Sequence, residues 1–419
     1  MRAYDTYKDS GISWLGQIPS HWKVRRTKNL WQEVKEISAD GKEQLLSVSQ
    51  YEGITKNQEG SRSESLVGYK IVKQNNLVIN IMLAWMGGLG VSQYNGLVSP
   101  AYCVYNLCDK FNAEYYHFLY RTPAYLAEFA RRSTGVIPSR WRMYTDEFGC
   151  VASIIPPLNE QNAIVDYLKE TTESIESEIS QQQKMIDLLK ERKQIIINEA
   201  VTRGLNPDVP MQETGIEWLP QIPAHWTYLK LKFLGTSNKK LIDPQKNKGQ
   251  LFYEYSMPSF DNNKSPEQVF GALMESSKIL LSEPTLLVNK LNVHKQRIWF
   301  IECPPQNSVA STEFIPFSRL RENPKYVEYY LLSDTVTRYL INNNNGTTNS
   351  QKRVSPEIIF NLLVSIPPKS EQYQIVDYIE KSIKPIDNAI CRCERMIELL
   401  TERKQIVIND VVTGKVKVI

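Results

Sequence analysis

The chain has 419 residues, long enough for two or more domains, and its 42% hydrophobic content allows sizeable buried cores rather than wholesale disorder. Its 50 basic and 46 acidic residues leave a net charge of only +4, too mild by itself to mark a nucleic-acid binder. The longest apolar stretch, Leu77 to Val91, is broken by Asn80, Gly87, Gly88 and Gly90, and the first residues lack the apolar run of a signal peptide, so a soluble, cytoplasmic protein is expected. Six cysteines without CxxC spacing and only four histidines argue against a disulfide scaffold or a Cys/His zinc site, and no metal is expected.

In chain order, the first feature is a Trp-rich opening motif, GISWLGQIPSHWKVRRTKNL, at residues 11–30. Its His21-Trp22 pair is expected to pack against helices rather than to ligate. A variable segment follows to about residue 150, with strand candidates at Gln44–Ser49, Leu77–Leu83 and Tyr102–Leu107 and a helix candidate at Ala113–Arg131. Pro156-Pro157 then stops the chain before a long heptad pattern. Leu168, Ile175, Gln182, Leu189 and Ile196 alternate with Thr172, Ile179, Ile186, Lys193 and Ala200, which predicts an uninterrupted helix ending near Gly204.

The sequence then starts again. Residues 215–234, GIEWLPQIPAHWTYLKLKFL, match the opening motif at 11 of 20 positions with an offset of 204. Residues 155–202 match 366–413 at 24 of 48 positions with an offset of 211. Between them lie a second variable segment, strand candidates at Leu286–Leu291 and Arg297–Glu302, and a helix candidate at Pro324–Ile341. The second heptad seam runs through Ile379, Ile383, Ile386, Ile390, Cys393, Ile397, Leu400, Lys404, Val407 and Val411, with Pro385 inside it as a helix start or a kink. The fold class is therefore α+β: two mixed α/β domains, at 1–155 and 206–366, separated by a long antiparallel two-helix coiled coil formed by 156–205 and 367–419, as an internal pseudo-two-fold repeat. That order brings the two chain ends together and makes the helix pair a spacer between the domains.

The chemistry of the repeat is not catalytic. No phosphate loop exists, since Val416 follows Gly414-Lys415 where a hydroxyl is required. Met86-Gly-Gly-Leu-Gly90 reads as a turn. Ile155-Pro-Pro-Leu158 lacks the polar and aromatic flanks of an adenine-methylation loop. The basic excess lies mainly in the variable segments, with net +4 over 1–155 and −3 over 156–205. Each variable segment ends in G-x-x-x-S-x-x-R at the same offset of 211, at Gly135 and at Gly346. Ser139, Arg140 and Arg142, with Thr347, Thr348, Gln351, Lys352 and Arg353, are the candidate DNA contacts, because such side chains can hold phosphates or base edges.

The duplicated G-I-x-W-L-x-x-I-P-x-H-W, I-P-P-x-x-E-Q-x-x-I-V-D-Y and E-R-K-Q-I-x-I-N motifs resemble the DNA-specificity subunit of type I restriction–modification systems across essentially the whole chain. The resemblance implies two target-recognition domains and two conserved antiparallel helices. It also implies double-stranded DNA as ligand, two methyltransferase subunits and two restriction subunits as partners, and a non-catalytic role. S-adenosylmethionine, ATP and magnesium are expected on the partner subunits, with none bound by this chain. The reading from a different class is a non-DNA coiled-coil scaffold.

Overall fold

The computed structural model describes residues 2–57, 65–108, 110–137, 140–237, 239–345 and 352–418. Two long helices dominate it, Leu158–Arg203 and Lys369–Val412. Every heptad position named above is buried or half-buried, so the seam is the packed face of both helices. Pro385 neither starts nor ends the second helix, which runs through it. Pro385 is exposed, so the ring that removes one helical amide lies outside the packed seam.

The chain forms two compact units, Met1–Gln183 with Arg395–Ile419, and Lys184–Glu394. Each unit holds the first half of one long helix and the second half of the other. In the first unit Ile164, Val165 and Leu168 share a core with Val411 and Val412, while Glu176 pairs with Lys404. In the second, Ile197, Ala200 and Val201 share a core with Ile375 and Ile379, while Lys193 pairs with Asp387 at 2.6 Å. Contacts that climb one helix descend the other, so the pairing within each unit is antiparallel. The chain ends meet in the first unit, where the Lys417 amide donates to the Arg2 carbonyl at 2.8 Å.

Around each helix pair sits an α/β domain with the same plan. In the first unit the antiparallel sheet has the order Trp31–Val34, Cys103–Leu107, Leu77–Ile79, Leu89–Val91. In the second, Phe314–Ser318, Thr285–Asn289 and Ile298–Ile301 repeat that order, and Thr236 bridges Ser318 at the place of the first strand. A second sheet also recurs. In the second unit it has the order Leu241–Ile242, Lys278–Leu281, Ser308–Ala310, Leu251–Tyr255, Glu267–Phe270. In the first the same places are taken by Ile37 bridging Lys70, Lys70–Val72, Gly96–Val98, Leu46–Ser49 and Gly53–Lys56. Leu45 bridges Leu97 in parallel where Leu251–Tyr255 runs parallel to Ser308–Ala310.

Each predicted domain helix is in fact two. The first breaks between Ala113–Tyr120 and Pro123–Arg132, where the Thr122 hydroxyl donates to the Leu119 carbonyl and Pro123 occupies the first helical turn. The second breaks between Pro324–Leu331 and Asp334–Asn342, where the Ser333 hydroxyl caps the Val336 amide.

The repeated motifs explain how each long helix begins and ends. The first carries Glu160 in its first turn, and the Glu160 carboxylate accepts from Tyr4 Oη at 3.1 Å, His21 Nε2 at 2.6 Å and the buried Trp22 Nε1 at 2.9 Å. Glu371 repeats this with His225 at 2.8 Å and Trp226 at 3.2 Å. The neighbouring Gln161 and Gln372 each accept the amide of a domain-helix N-cap, Asn112 or Asn323, at 2.9 Å. At the far ends, last-turn carbonyls that no helical amide can reach find domain hydroxyls. Tyr115 donates to Val412 at 2.9 Å, and Ser365 donates to Val201 at 3.1 Å. Gly204 and Gly414 then turn the chain at φ +75° and +78°.

Gly414 allows no side chain, since a Cβ there would stand 2.5 Å from Pro19 Cδ and 2.9 Å from the Trp22 ring. Gly414→Ala is expected to destabilise the first unit by roughly 1–3 kcal/mol from the backbone strain alone. Chemical denaturation followed by tryptophan fluorescence checks this, and an unchanged midpoint would show that the helix end is free to shift.

Candidate nucleic-acid interface

The two G-x-x-x-S-x-x-R segments are closed by the same backbone pair. In the first unit Thr134 and Arg142 exchange both hydrogen bonds, at 3.0 and 2.9 Å. In the second, Asn345 pairs with Arg353 and Asn344 with Val354. Both closing pairs respect the offset of 211, so the loops occupy corresponding places in their own domains. Each is anchored to the strand end beside it, Met143 N to the Ile81 carbonyl and Val354 N to the Lys290 carbonyl, both at 2.9 Å.

Of the candidate residues, Arg140, Arg142, Lys352 and Arg353 lie among the described residues; Ser139, Thr347, Thr348 and Gln351 lie outside them. In the first loop Gly135 is required by close approach, because a Cβ would fall 2.5 Å from the Arg140 carbonyl. Val136 is 95% exposed and Arg140 is exposed. Trp141 meets Trp85 edge-on with centroids 5.3 Å apart, and Arg142 is half-buried with one terminal nitrogen unpaired among the described residues. The first loop therefore offers cations beside apolar surface.

The second loop sits in a denser charge cluster. Arg353 Nη2 donates to Glu313 Oε1 at 2.9 Å, and Lys290 Nζ stands 3.8 Å from Glu313 Oε2. Loss of hydration, and next the Lys290 charge, draws the Lys239 ammonium below its ordinary range, while Glu313 opposes that shift. Lys239, Lys290 and Glu313 come from three separate chain segments. Only the Lys239-Lys240 doublet was a visible signal in the sequence; Lys290 and Glu313 are united with Arg353 by strand pairing alone.

Not every arginine is free to bind. Arg121 donates to the carbonyls of Gly87, Leu89, Gln50 and Tyr51 at 2.6–3.0 Å, tying a hairpin and a turn to the first domain helix. Beside it, the half-buried His117 accepts the Val91 amide through Nδ1 at 3.2 Å. Desolvation, then the Arg121 charge, pulls the His117 pKa down to about 3. His117 is thus neutral in the fold and free to protonate in the unfolded chain, so stability is lost as pH falls from about 6.5 toward 3. The slope from this group reaches at most about 1.4 kcal/mol per pH unit. His117→Gln, which keeps an acceptor, is expected to flatten the difference in unfolding midpoint between pH 6.5 and 4.5, measured by denaturant titration.

Residues 223–391 match the family described as Type I restriction modification DNA specificity domain. No curated relative matches the chain. A chain from a structure on complex assembly and conformational transition of the type I R-M system is 11% identical, with a TM-score of 0.65 over 95% of this chain and 99% of that one. The HsdS subunit from Thermoanaerobacter tengcongensis is 13% identical, with a TM-score of 0.46 over 95% of this chain and 98% of that one. The type I S subunit from M. genitalium is 12% identical, with a TM-score of 0.37 over 93% and 96%. Among the described residues no helix is long and apolar enough to cross a membrane.

Proposed function

We propose that this chain, whose residues 223–391 match the type I restriction modification DNA specificity domain, is the DNA-reading subunit of a type I restriction–modification complex and acts in the cytoplasm. The observation that carries this reading is the pair of loops closed at equivalent positions but built from unlike residues. A duplicated scaffold presenting Arg140 and Arg142 in one domain and Lys352 and Arg353 in the other suits a target with two unlike half-sites. The chain itself is non-catalytic. It directs adenine methylation or restriction by two methyltransferase and two restriction subunits, which supply S-adenosylmethionine, ATP and magnesium.

Mapping methylated adenines in cells that carry this chain with its methyltransferase partner is expected to give a bipartite, asymmetric target. Arg142→Ala is expected to relax one half-site only, by roughly 1–3 kcal/mol if the side chain reads a base. A palindromic target from one copy of the chain contradicts the reading. Absence of salt-dependent duplex binding by the complex would favour the scaffold function instead.

The helices carry a second duplicated surface. Met185, Leu188 and Ile195 are 49%, 52% and 50% exposed, and their repeat partners Met396, Leu399 and Ile406 are 46%, 43% and 52% exposed. Spacings of three and seven put each trio on one helix face. Two like surfaces suit two copies of one partner, the methyltransferase subunit. Leu188→Glu and Leu399→Glu, both at exposed positions, are expected to leave folding within about 0.5 kcal/mol of the parent. Each alone should remove one partner copy, read as complex mass in solution.

A further inference from the structure

The charge cluster of the second unit assigns a role to Glu313, which no motif marked. Glu313 closes the turn before the strand Phe314–Ser318, whose Phe314 pairs with Asn289 next to Lys290. Leu291 bridges Arg353, so three chain segments converge on this carboxylate. Its Oε1 accepts from Arg353 Nη2 at 2.9 Å. Its Oε2 is buried and accepts no hydrogen bond among the described residues, with Lys290 Nζ at 3.8 Å donating instead to the Thr312 carbonyl. Arg353 is different. Its side chain is 57% exposed, its backbone is pinned on both sides, and only one guanidinium nitrogen is engaged by Glu313.

An ion pair with so exposed a partner adds little to stability. A free arginine, however, carries rotamer entropy, part of which must be surrendered when it docks on a base edge. A carboxylate gripping one terminal nitrogen from below holds the guanidinium in place and leaves its other N–H groups outward. Lys239 and Lys290 outnumber the single negative charge, so the surface stays attractive to phosphates. The carboxylate is too enclosed to serve as the base contact itself. We propose that Glu313 is a positioning residue that pre-orients Arg353 for base recognition in the second half-site. This rests on the reading of the 345–353 loop as a DNA contact.

The test uses the assembled complex with methyltransferase subunits and duplexes carrying the mapped target or single base changes in it. Arg353→Ala is expected to lower discrimination at one position of one half-site, roughly ten- to hundred-fold. Glu313→Ala should lower discrimination at that same position by about ten-fold while leaving affinity for unrelated duplex equal or higher. Glu313→Gln, which keeps an acceptor without the charge, should recover part of the loss. The double variant Glu313→Ala/Arg353→Ala should be no worse than Arg353→Ala alone, because the carboxylate acts through the arginine. Arg353→Ala with reduced discrimination but Glu313→Ala without it overturns the inference alone, as does an additive double variant. If Arg353→Ala changes neither discrimination nor the salt slope, the loop is not a DNA contact and both readings fall. Equal unfolding midpoints for the Gln variant and the parent separate these outcomes from a folding defect.

Discussion

Neither α/β domain completes its core from its own repeat. The first needs Val411 and Val412 from the end of the second long helix, and the second needs Ala200 and Val201 from the end of the first. These end residues are almost wholly buried, and domain hydroxyls satisfy their helix-terminal carbonyls. A long helix of mixed polarity gains most of its stability from such packing rather than from propensity. The seam and the domain core are therefore one cooperative arrangement within each unit, joined in the first by the chain ends. A single repeat expressed alone would expose the surfaces that the other repeat covers.

That dependence separates what both copies keep from what they vary. The kept residues do structural work at helix starts: Glu160 and Glu371 accept the Trp and His donors, and Gln161 and Gln372 reach the domain-helix N-caps. For Tyr4, burial and then the Glu160 charge push the hydroxyl above its ordinary range, so it remains a donor to that carboxylate. The varied residues fill the segments 31–150 and 235–361 and include the loops closed at Thr134–Arg142 and Asn345–Arg353, where the frame fixes the two ends.

Much of the frame was legible because repetition and heptad spacing are local patterns. The seam, the helix end at Gly204 and the packing role of the His-Trp pairs all follow from spacing and residue type, whereas the turn at Gly414 emerges only in the fold. The carboxylate partners of those pairs were hidden, since Trp22 and Glu160 are 138 positions apart in the chain. The breaks at Thr122-Pro123 and Leu332-Ser333 were overlooked because apolar periodicity continues through them, although Pro123 and Ser333 are ordinary helix-start residues. In the candidate interface the Gly and Arg of each loop could be read from the repeat. The Lys290–Glu313–Arg353 cluster could not, because strand register brings it together.

Under the proposed function, each copy reads one half-site on its own. Replacing the second variable segment, residues 235–361, with the first, residues 31–150, within the intact helix frame tests it most directly. Adenine methylation mapped in cells carrying that chain with its partner subunits should reveal two identical, inverted half-sites. Retention of the parent's asymmetric target would contradict the account, because recognition would then reside outside the exchanged segment.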